Sequence, residues 1–364
     1  MPTVLANPWR STGLPDLDMP MPRVDPAPVL ELLRWCPKAE QTPLVDSQPL
    51  AEAIGVDRLW VKDETQRLGL GSFKALGAAY VIADRARMRS SERDGWPDDV
   101  SGLLDGETYV TASSGNHGMS VAAGSRVFGA AAVVVLAEGV PEAFATRLRA
   151  FGAEVVRAGS DYDESMAEAV RLAEDRGWSL LTDSSWPDYT EIPLQVMEGY
   201  LVMGAEAADE VEAISEAPTH IFLQAGVGGM AASTAAYARH RWGDQPVIVV
   251  VEGDRAACLM ASVREGRAVR SDGPPSNMGR LDAKEPSILA LAALAQDADF
   301  FITISDEEAA ETTRLLGEHG LTTTPSGAAG LSAVQHAGPN RAEIELDRLS
   351  RVLCFATEGL ETAI

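Results

Sequence analysis

The sequence predicts an α/β protein of two domains, with parallel twisted sheets covered by helices on both faces. Three observations carry this. Runs such as Ala131 to Leu136 and Val247 to Val251 are short and uniformly apolar, as buried parallel strands are. They alternate with helical patterns along most of the chain, the signature of βαβ units. At 364 residues the chain is also long for one core.

Residues 1–28, with Pro15, Pro20, Pro22, Pro26 and Pro28, read as an irregular arm laid over the surface. After Thr42-Pro43-Leu44-Val45 the pattern predicts a helix at Leu50 to Ile54, a strand at Arg58 to Val61 and a polar turn at Lys62-Asp63-Glu64-Thr65. A helix follows Lys74 through Ile82, and the charged, turn-rich stretch from Asp84 to Gly106 reads as a surface loop. A strand at Tyr109 to Thr111, a small-residue helix at Met119 to Val127 and a strand at Ala131 to Leu136 come next. Then follow an amphipathic helix at Ala143 to Phe151, a strand at Glu154 to Val156, a helix at Tyr162 to Arg176 and a strand at Ser179 to Leu181. The second half repeats the alternation. A helix from Ile192 through Glu212 precedes strands at His220 to Gln224 and Pro246 to Val251, and Glu265 to Glu285 is irregular. A helix at Pro286 to Gln296, a strand at Phe300 to Ile304, helices at Asp306 to His319 and Ser326 to His336, and a strand at Arg351 to Phe355 complete the chain.

Composition narrows the function. A formal charge of −24, from 30 basic and 54 acidic residues, argues against nucleic acid or anionic membranes as partners. Cys36, Cys258 and Cys354 are odd in number and lack zinc or Cys-x-x-Cys spacing, which points to a reducing compartment. The N-terminus has prolines where a signal peptide would have its apolar core, and no run reaches the length of a membrane helix. A cytoplasmic protein is expected.

The chemistry is expected in four places. Gly71-Ser72-Phe73-Lys74-Ala75-Leu76-Gly77 puts Lys74 at a helix start among apolar neighbours, where an amine can lose charge and attack a carbonyl; the alternative is an exposed lysine in a first helical turn. Gly226-Val227-Gly228-Gly229-Met230 lies between a strand and a helix, so its amides can hold a phosphate, or merely make a tight turn. It lacks the third glycine of the dinucleotide fingerprint, since Ala231 and Ala232 follow. Ser113-Ser114-Gly115-Asn116-His117 concentrates donors at another strand end, where they can hold a carboxylate or cap the helix. Thr357 ends the last strand with a hydroxyl that can meet a ring nitrogen, or serves as a turn residue.

In this order, the lysine, asparagine loop, glycine loop and terminal hydroxyl resemble the fold type II, tryptophan synthase β-like, pyridoxal phosphate enzymes over about residues 40–360. Val61-Lys62-Asp63-Glu64, Arg67-Leu68-Gly69-Leu70 and Phe73 to Gly77 are similar to the lysine region of the diaminopropionate ammonia-lyase group. Asp183-Ser184-Ser185-Trp186, Tyr189 to Pro193 and Met197 to Tyr200 look like a second segment of those lyases. The resemblance implies Lys74 as the Schiff-base lysine and Cα base, with Phe73 beside it, Asn116 on the cofactor 3′-oxygen, Gly226 to Met230 on its phosphate and Thr357 at its ring nitrogen. It implies Ser113, Ser114 and His117 for the substrate carboxylate and Asp183 for the β-substituent, although Asp183 can also be read as an N-cap. The group usually has Asp where this chain has Ser114, and that carboxylate is implicated in taking D-substrates. The segment Asn277 to Asp282 also departs from the group, placing Arg280 and Asp282 by the pocket.

The expected function is therefore pyridoxal 5′-phosphate-dependent elimination on a β-substituted L-amino acid such as 2,3-diaminopropionate, giving a 2-oxo acid and ammonia. A dehydratase of β-hydroxy amino acids, a β-replacement synthase and a non-catalytic cofactor-binding protein are the alternatives. The resemblance implies a large domain of residues 1–76 and 186–364, a small mobile domain of 77–185, an active site between them and a homodimer; no residue is assigned to a metal, and a cation requirement stays open.

Overall fold

The computed structural model describes residues 2–36, 38–91, 97 and 99–360. Its strands are β1 (Val4–Ala6), β2 (Leu44–Asp46), β3 (Arg58–Asp63), β4 (Thr108–Ala112), β5 (Ala131–Leu136), β6 (Glu154–Arg157), β7 (Ser179–Leu180), β8 (His220–Gln224), β9 (Val247–Gly253), β10 (Phe300–Ile304) and β11 (Arg351–Ala356). They form two sheets, ordered β1-β10-β9-β8-β11-β3-β2 and β6-β5-β4-β7. The smaller sheet is wholly parallel, and the larger is parallel except at its edge strands β1 and β2.

The period-2 alternation of the strands builds two layers of core. Ile221 and Leu223 of β8 face one apolar cluster with Ile248, Val250 and Phe301, while Phe222 faces another with Val249, Val251 and Ile302. The first layer is covered by the alanine-rich helix Gly229–Trp242 and the second by Pro325–His336.

In both sheets the strand order reverses at one point, between β8 and β11 in the larger and between β4 and β7 in the smaller. A crevice at the carboxyl ends of parallel strands opens at such reversals, and loops that leave neighbouring strands there are free to converge on a ligand. The loops after β3, β8 and β11 come from one sheet, and those after β4 and β7 from the other.

Local expectation and fold differ most in four places. In the arm, Val4 to Ala6 pairs antiparallel with β10, covering what would otherwise be an open edge, and Ala27–Leu33 is a helix. Lys62 and Asp63 belong to β3 rather than to a turn. Lys62 and Glu64 are fully buried there because both are paired: Lys62 Nζ lies 3.0 Å from Glu206 and 2.9 Å from Glu210, and Arg67 lies 2.7 Å from Glu64. The helix from Lys74 runs on to Ser91, with Asp84 buried against Arg87 and Gln195; of the expected loop from Asp84 to Gly106, residues 92–96 and 98 lie outside the described residues. The helix expected from Ile192 through Glu212 is two, Glu191–Gly199 and Leu201–Ile214. Where they meet, a Cβ on Gly199 would lie 2.7 Å from Leu76 O, so the glycine lets the lysine helix pack directly on the break. No helix among the described residues is long and apolar enough to cross a membrane.

Candidate active site

The loops at the two strand-order reversals enclose a cavity of about 650 Å³, lined by every residue that the sequence nominated for chemistry: Lys74 and Asp183, Phe73, Asn116, Gly226 to Met230, Thr357, and Ser113, Ser114 and His117.

Lys74 begins its helix, and the loop before it is stitched to the end of β11. Phe73 N donates to Thr357 O (3.1 Å), Gly359 N donates to Gly71 O (2.9 Å), and Ser72 pairs with Glu358. The ammonium is 5.4 Å from the centre of the Phe73 ring and forms an ion pair with Asp183 from the other sheet. Lys74 is thus not covered by apolar groups alone. Burial pushes the Asp183 carboxyl up, but the Lys74 charge, the nearby His117, the Lys74 hydrogen bond and a backbone hydrogen bond together outweigh this and hold it well below the usual carboxylate range. Asp183 caps no helix: the next begins at Glu191 after Thr190, with Trp186 and Tyr189 paired by backbone bonds in between.

The asparagine loop uses its side chains differently from expectation. Ser113 Oγ accepts from Gly115 N (3.2 Å) and Gly118 N (3.0 Å), closing the turn before the helix Asn116–Phe128. His117 is buried, with Nε2 2.9 Å from Leu181 O. A carbonyl only accepts, so Nε2 carries the proton, and Nδ1 has no hydrogen-bond partner among the described residues. Burial lowers the basicity of the ring, leaving it neutral with its donor already used. For a substrate carboxylate the loop therefore offers the exposed Ser114 side chain and the amides at the helix N-terminus, not the His117 ring or a free Ser113 hydroxyl.

Asn116 Nδ2 donates to the Glu358 carboxylate, which also accepts from Thr324 Oγ1 (2.5 Å). Arg280 reaches over the same place: Nη1 donates to Ser114 O (2.8 Å), and Nε is 3.8 Å from Glu358.

The glycine loop fits a phosphate. Gly228 has φ +101°, and a Cβ there would lie 2.9 Å from the Ala290 side chain. The loop is pinned by Ser287 N donating to Val227 O (3.0 Å). It opens the helix Gly229–Trp242, whose first amides have no acceptor inside the helix and carry its positive end. Met230 is itself buried and offers only its amide. At the far side Thr357 Oγ1 accepts from Gln224 Nε2 (3.2 Å), which also bonds Gly327 O (3.0 Å) and Phe355 O (2.9 Å). The Thr357 hydroxyl keeps its own proton for a ring nitrogen. Amine, anion cradle and hydroxyl, facing one cavity, match the three ends of pyridoxal phosphate.

Sequence reasoning missed Glu358, Gln224 and Tyr162 as site residues. The available signal was positional for two of them, a polar residue ending an apolar strand at Gln224 and a charged one just beyond β11 at Glu358. Tyr162 gave none.

A profile of the family described as "Pyridoxal-phosphate dependent enzyme" matches residues 37–358. Diaminopropionate ammonia-lyase of Escherichia coli K12 is 32% identical over 334 residues, covering 87% of this chain and 84% of that protein. L-threonine ammonia-lyase of Thermotoga maritima is 26% identical over 295 residues, 81% of this chain and 66% of that protein. The crystal structure of E. coli diaminopropionate ammonia lyase in complex with an aminoacrylate-PLP azomethine reaction intermediate superposes with a TM-score of 0.87 at 28% identity, covering 99% and 94% of the two chains.

Proposed function

We propose that this chain, which belongs to the pyridoxal-phosphate dependent enzyme family, catalyses α,β-elimination on a β-substituted L-amino acid such as 2,3-diaminopropionate, giving a 2-oxo acid and ammonia. Pyridoxal 5′-phosphate, when bound, supplies a carbonyl for an amine and a ring that takes up electrons from Cα. Gly226 to Met230 hold its phosphate, Asn116 its 3′-oxygen and Thr357 its ring nitrogen. A hydroxyl donates to that nitrogen without leaving a proton on it, which favours elimination over transamination.

The observation that carries the reading is the pairing of Lys74 with Asp183 across the two sheets. Lys74 would hold the carbonyl carbon of the cofactor and, as a free amine, would take the Cα proton. Asp183, held ionised, binds a β-ammonium group and keeps it in place until it leaves. The carboxylate of the substrate rests on Ser114 and the amides of the asparagine loop. With Ser114 where the ammonia-lyase group has Asp, only the Lys74 side of Cα has a base, so the substrate is the L-isomer. Residues 77–185 close over the cleft as a small domain against 1–76 and 186–364, excluding water. The enzyme works as a cytoplasmic homodimer, its free cysteines suited to a reducing compartment.

Ser114 also favours a second reading, a dehydratase of β-hydroxy amino acids. Quantifying 2-oxo acid and ammonia from L- and D-diaminopropionate, L-serine, L-threonine and threo-phenylserine separates the two. Two ammonias per pyruvate from L-diaminopropionate alone supports the lyase; turnover only of a hydroxy amino acid, with one ammonia per 2-oxo acid, replaces it with the dehydratase.

A further inference from the structure

The cavity is also lined by three side chains that the elimination does not use, Tyr162, Met166 and Trp186. Tyr162 opens the helix Tyr162–Arg176 and Met166 follows at i+4, so both lie on one face of its first turns. The Tyr162 hydroxyl lies near the Thr182 side chain and the Asp183 carboxylate. The residue keeps 45% of its surface exposed and lines the cavity. Trp186 is fixed from behind. It stacks on Tyr189 with ring centres 4.6 Å apart, and the Tyr189 hydroxyl donates to Leu180 O (2.7 Å). Arg270, joined to both Asp163 and Glu285 at 2.9 Å, lines the same cavity.

Aromatic and thioether side chains lining a cavity next to its charged groups are a feature of a ligand site. Resting on the elimination proposed above, we propose that Tyr162, Met166 and Trp186 form a subsite for the leaving group, and that the substrates include 2,3-diaminopropionates whose β-nitrogen carries an apolar or aromatic substituent. The nearness of Tyr162 to the Asp183 carboxylate favours nitrogen as the point of attachment. A protonated secondary amine is what Asp183 can hold and what the faces of tyrosine and tryptophan attract, and a group carried on that nitrogen projects beyond the carboxylate toward the rings. In the reaction the Cα proton goes to Lys74 and its electron pair becomes the second Cα–Cβ bond. The Cβ–N bond breaks with its pair on the substituted nitrogen, which leaves as a neutral amine. Water then displaces the α-nitrogen, so substrate plus water gives pyruvate, ammonia and one amine.

The test gives the cofactor-loaded chain L-2,3-diaminopropionate and its N3-benzyl derivative, with pyruvate, ammonia and benzylamine quantified, and follows benzylamine binding by calorimetry. The expected result is one benzylamine and one ammonia per pyruvate, with the kcat/KM ratio of benzyl to unsubstituted substrate falling tenfold or more in Trp186→Ala and Tyr162→Ala. Tyr162→Phe, which keeps the ring, should retain the ratio, and benzylamine binding should weaken in the two alanine variants. Turnover of diaminopropionate without turnover of the benzyl compound, or equal losses on both substrates in the alanine variants, overturns the subsite while leaving the elimination reading in place. Turnover of neither diamino compound overturns both.

Discussion

The two walls of the cavity are built on different principles. Behind the wall from β3, β8 and β11 lies a network of buried charges: Arg67, 1% exposed, binds Glu64 and Glu206, and Lys62, fully buried, binds Glu206 and Glu210. Removing one member of such a network strands a charge and costs about 3–5 kcal/mol, which makes this wall stiff. The wall from β4 and β7 meets it through single side chains, Arg280 on Ser114 O, Asn116 on Glu358, Asp183 on Lys74, and Arg270 on Asp163. Several of these groups are partly exposed, and exposed ion pairs contribute only about 0–1 kcal/mol each. The difference teaches how the work is divided. On the reading proposed above, the phosphate loop, Lys74 and Thr357 stand on the charge-buttressed wall, and Asn116, Ser114 and Asp183 stand on the wall tied by single contacts.

Perturbing each wall tests this division. Lys74→Ala, which removes the amine on which both walls converge, should abolish the yellow colour of the cofactor-loaded protein and lower kcat by about 10³-fold or more; residual turnover within tenfold of wild type would place the base elsewhere. Arg67→Met should cost about 3–5 kcal/mol in denaturant unfolding, and a loss under about 1 kcal/mol would mean that the network is not what stiffens this wall.

Asp183→Asn should lower kcat for a β-amino substrate by about 100-fold. It also tests the linkage. A carboxyl held below its ordinary value contributes stability that is fully present above the unfolded pKa, about 4, and is lost as pH falls through the folded one. Acid unfolding below about pH 4 should therefore be steeper in wild type than in Asp183→Asn, and identical slopes would remove the Lys74 pairing as a source of stability.

Arg280→Ala should raise substrate KM by about tenfold, since it removes the guanidinium that ties the asparagine loop at Ser114 O. An equal fall in kcat with KM unchanged would mean that it acts on the reacting atoms. Arg270→Ala, at the outermost and half-exposed contact, should stay within about 0.5 kcal/mol of wild-type stability.

Much of this was legible locally. The helix Tyr162–Arg176 and strands β5, β8 and β10 coincide with their apolar periodicity, because those patterns record contacts only a few residues apart. Lys62 and Glu64 misled, since charge at a strand end reads as a solvated turn unless the partners, Glu206 and Arg67, are seen. The helix Cys258–Glu265 was passed over as well. Its cap is the buried carboxylate of Glu252, which accepts from Leu259 N (2.8 Å) and Met260 N (2.7 Å) across a turn too long for a capping pattern.

By itself the sequence determined most of the order of strands and helices, the lysine at a helix start, and the glycine loop and the polar loop at Asn116 where strands meet helices. Each is a matter of residue type at short spacing, where backbone geometry leaves little choice. The tertiary structure alone decided that Lys74 meets Asp183, 109 positions away, and that Asn116 meets Glu358, 242 positions away. It also turned His117 inward to Leu181 O and set Tyr162 beside Thr182. Those contacts depend on where two sheets reverse their strand order and how the reversals face each other, and no local pattern along the chain encodes that arrangement.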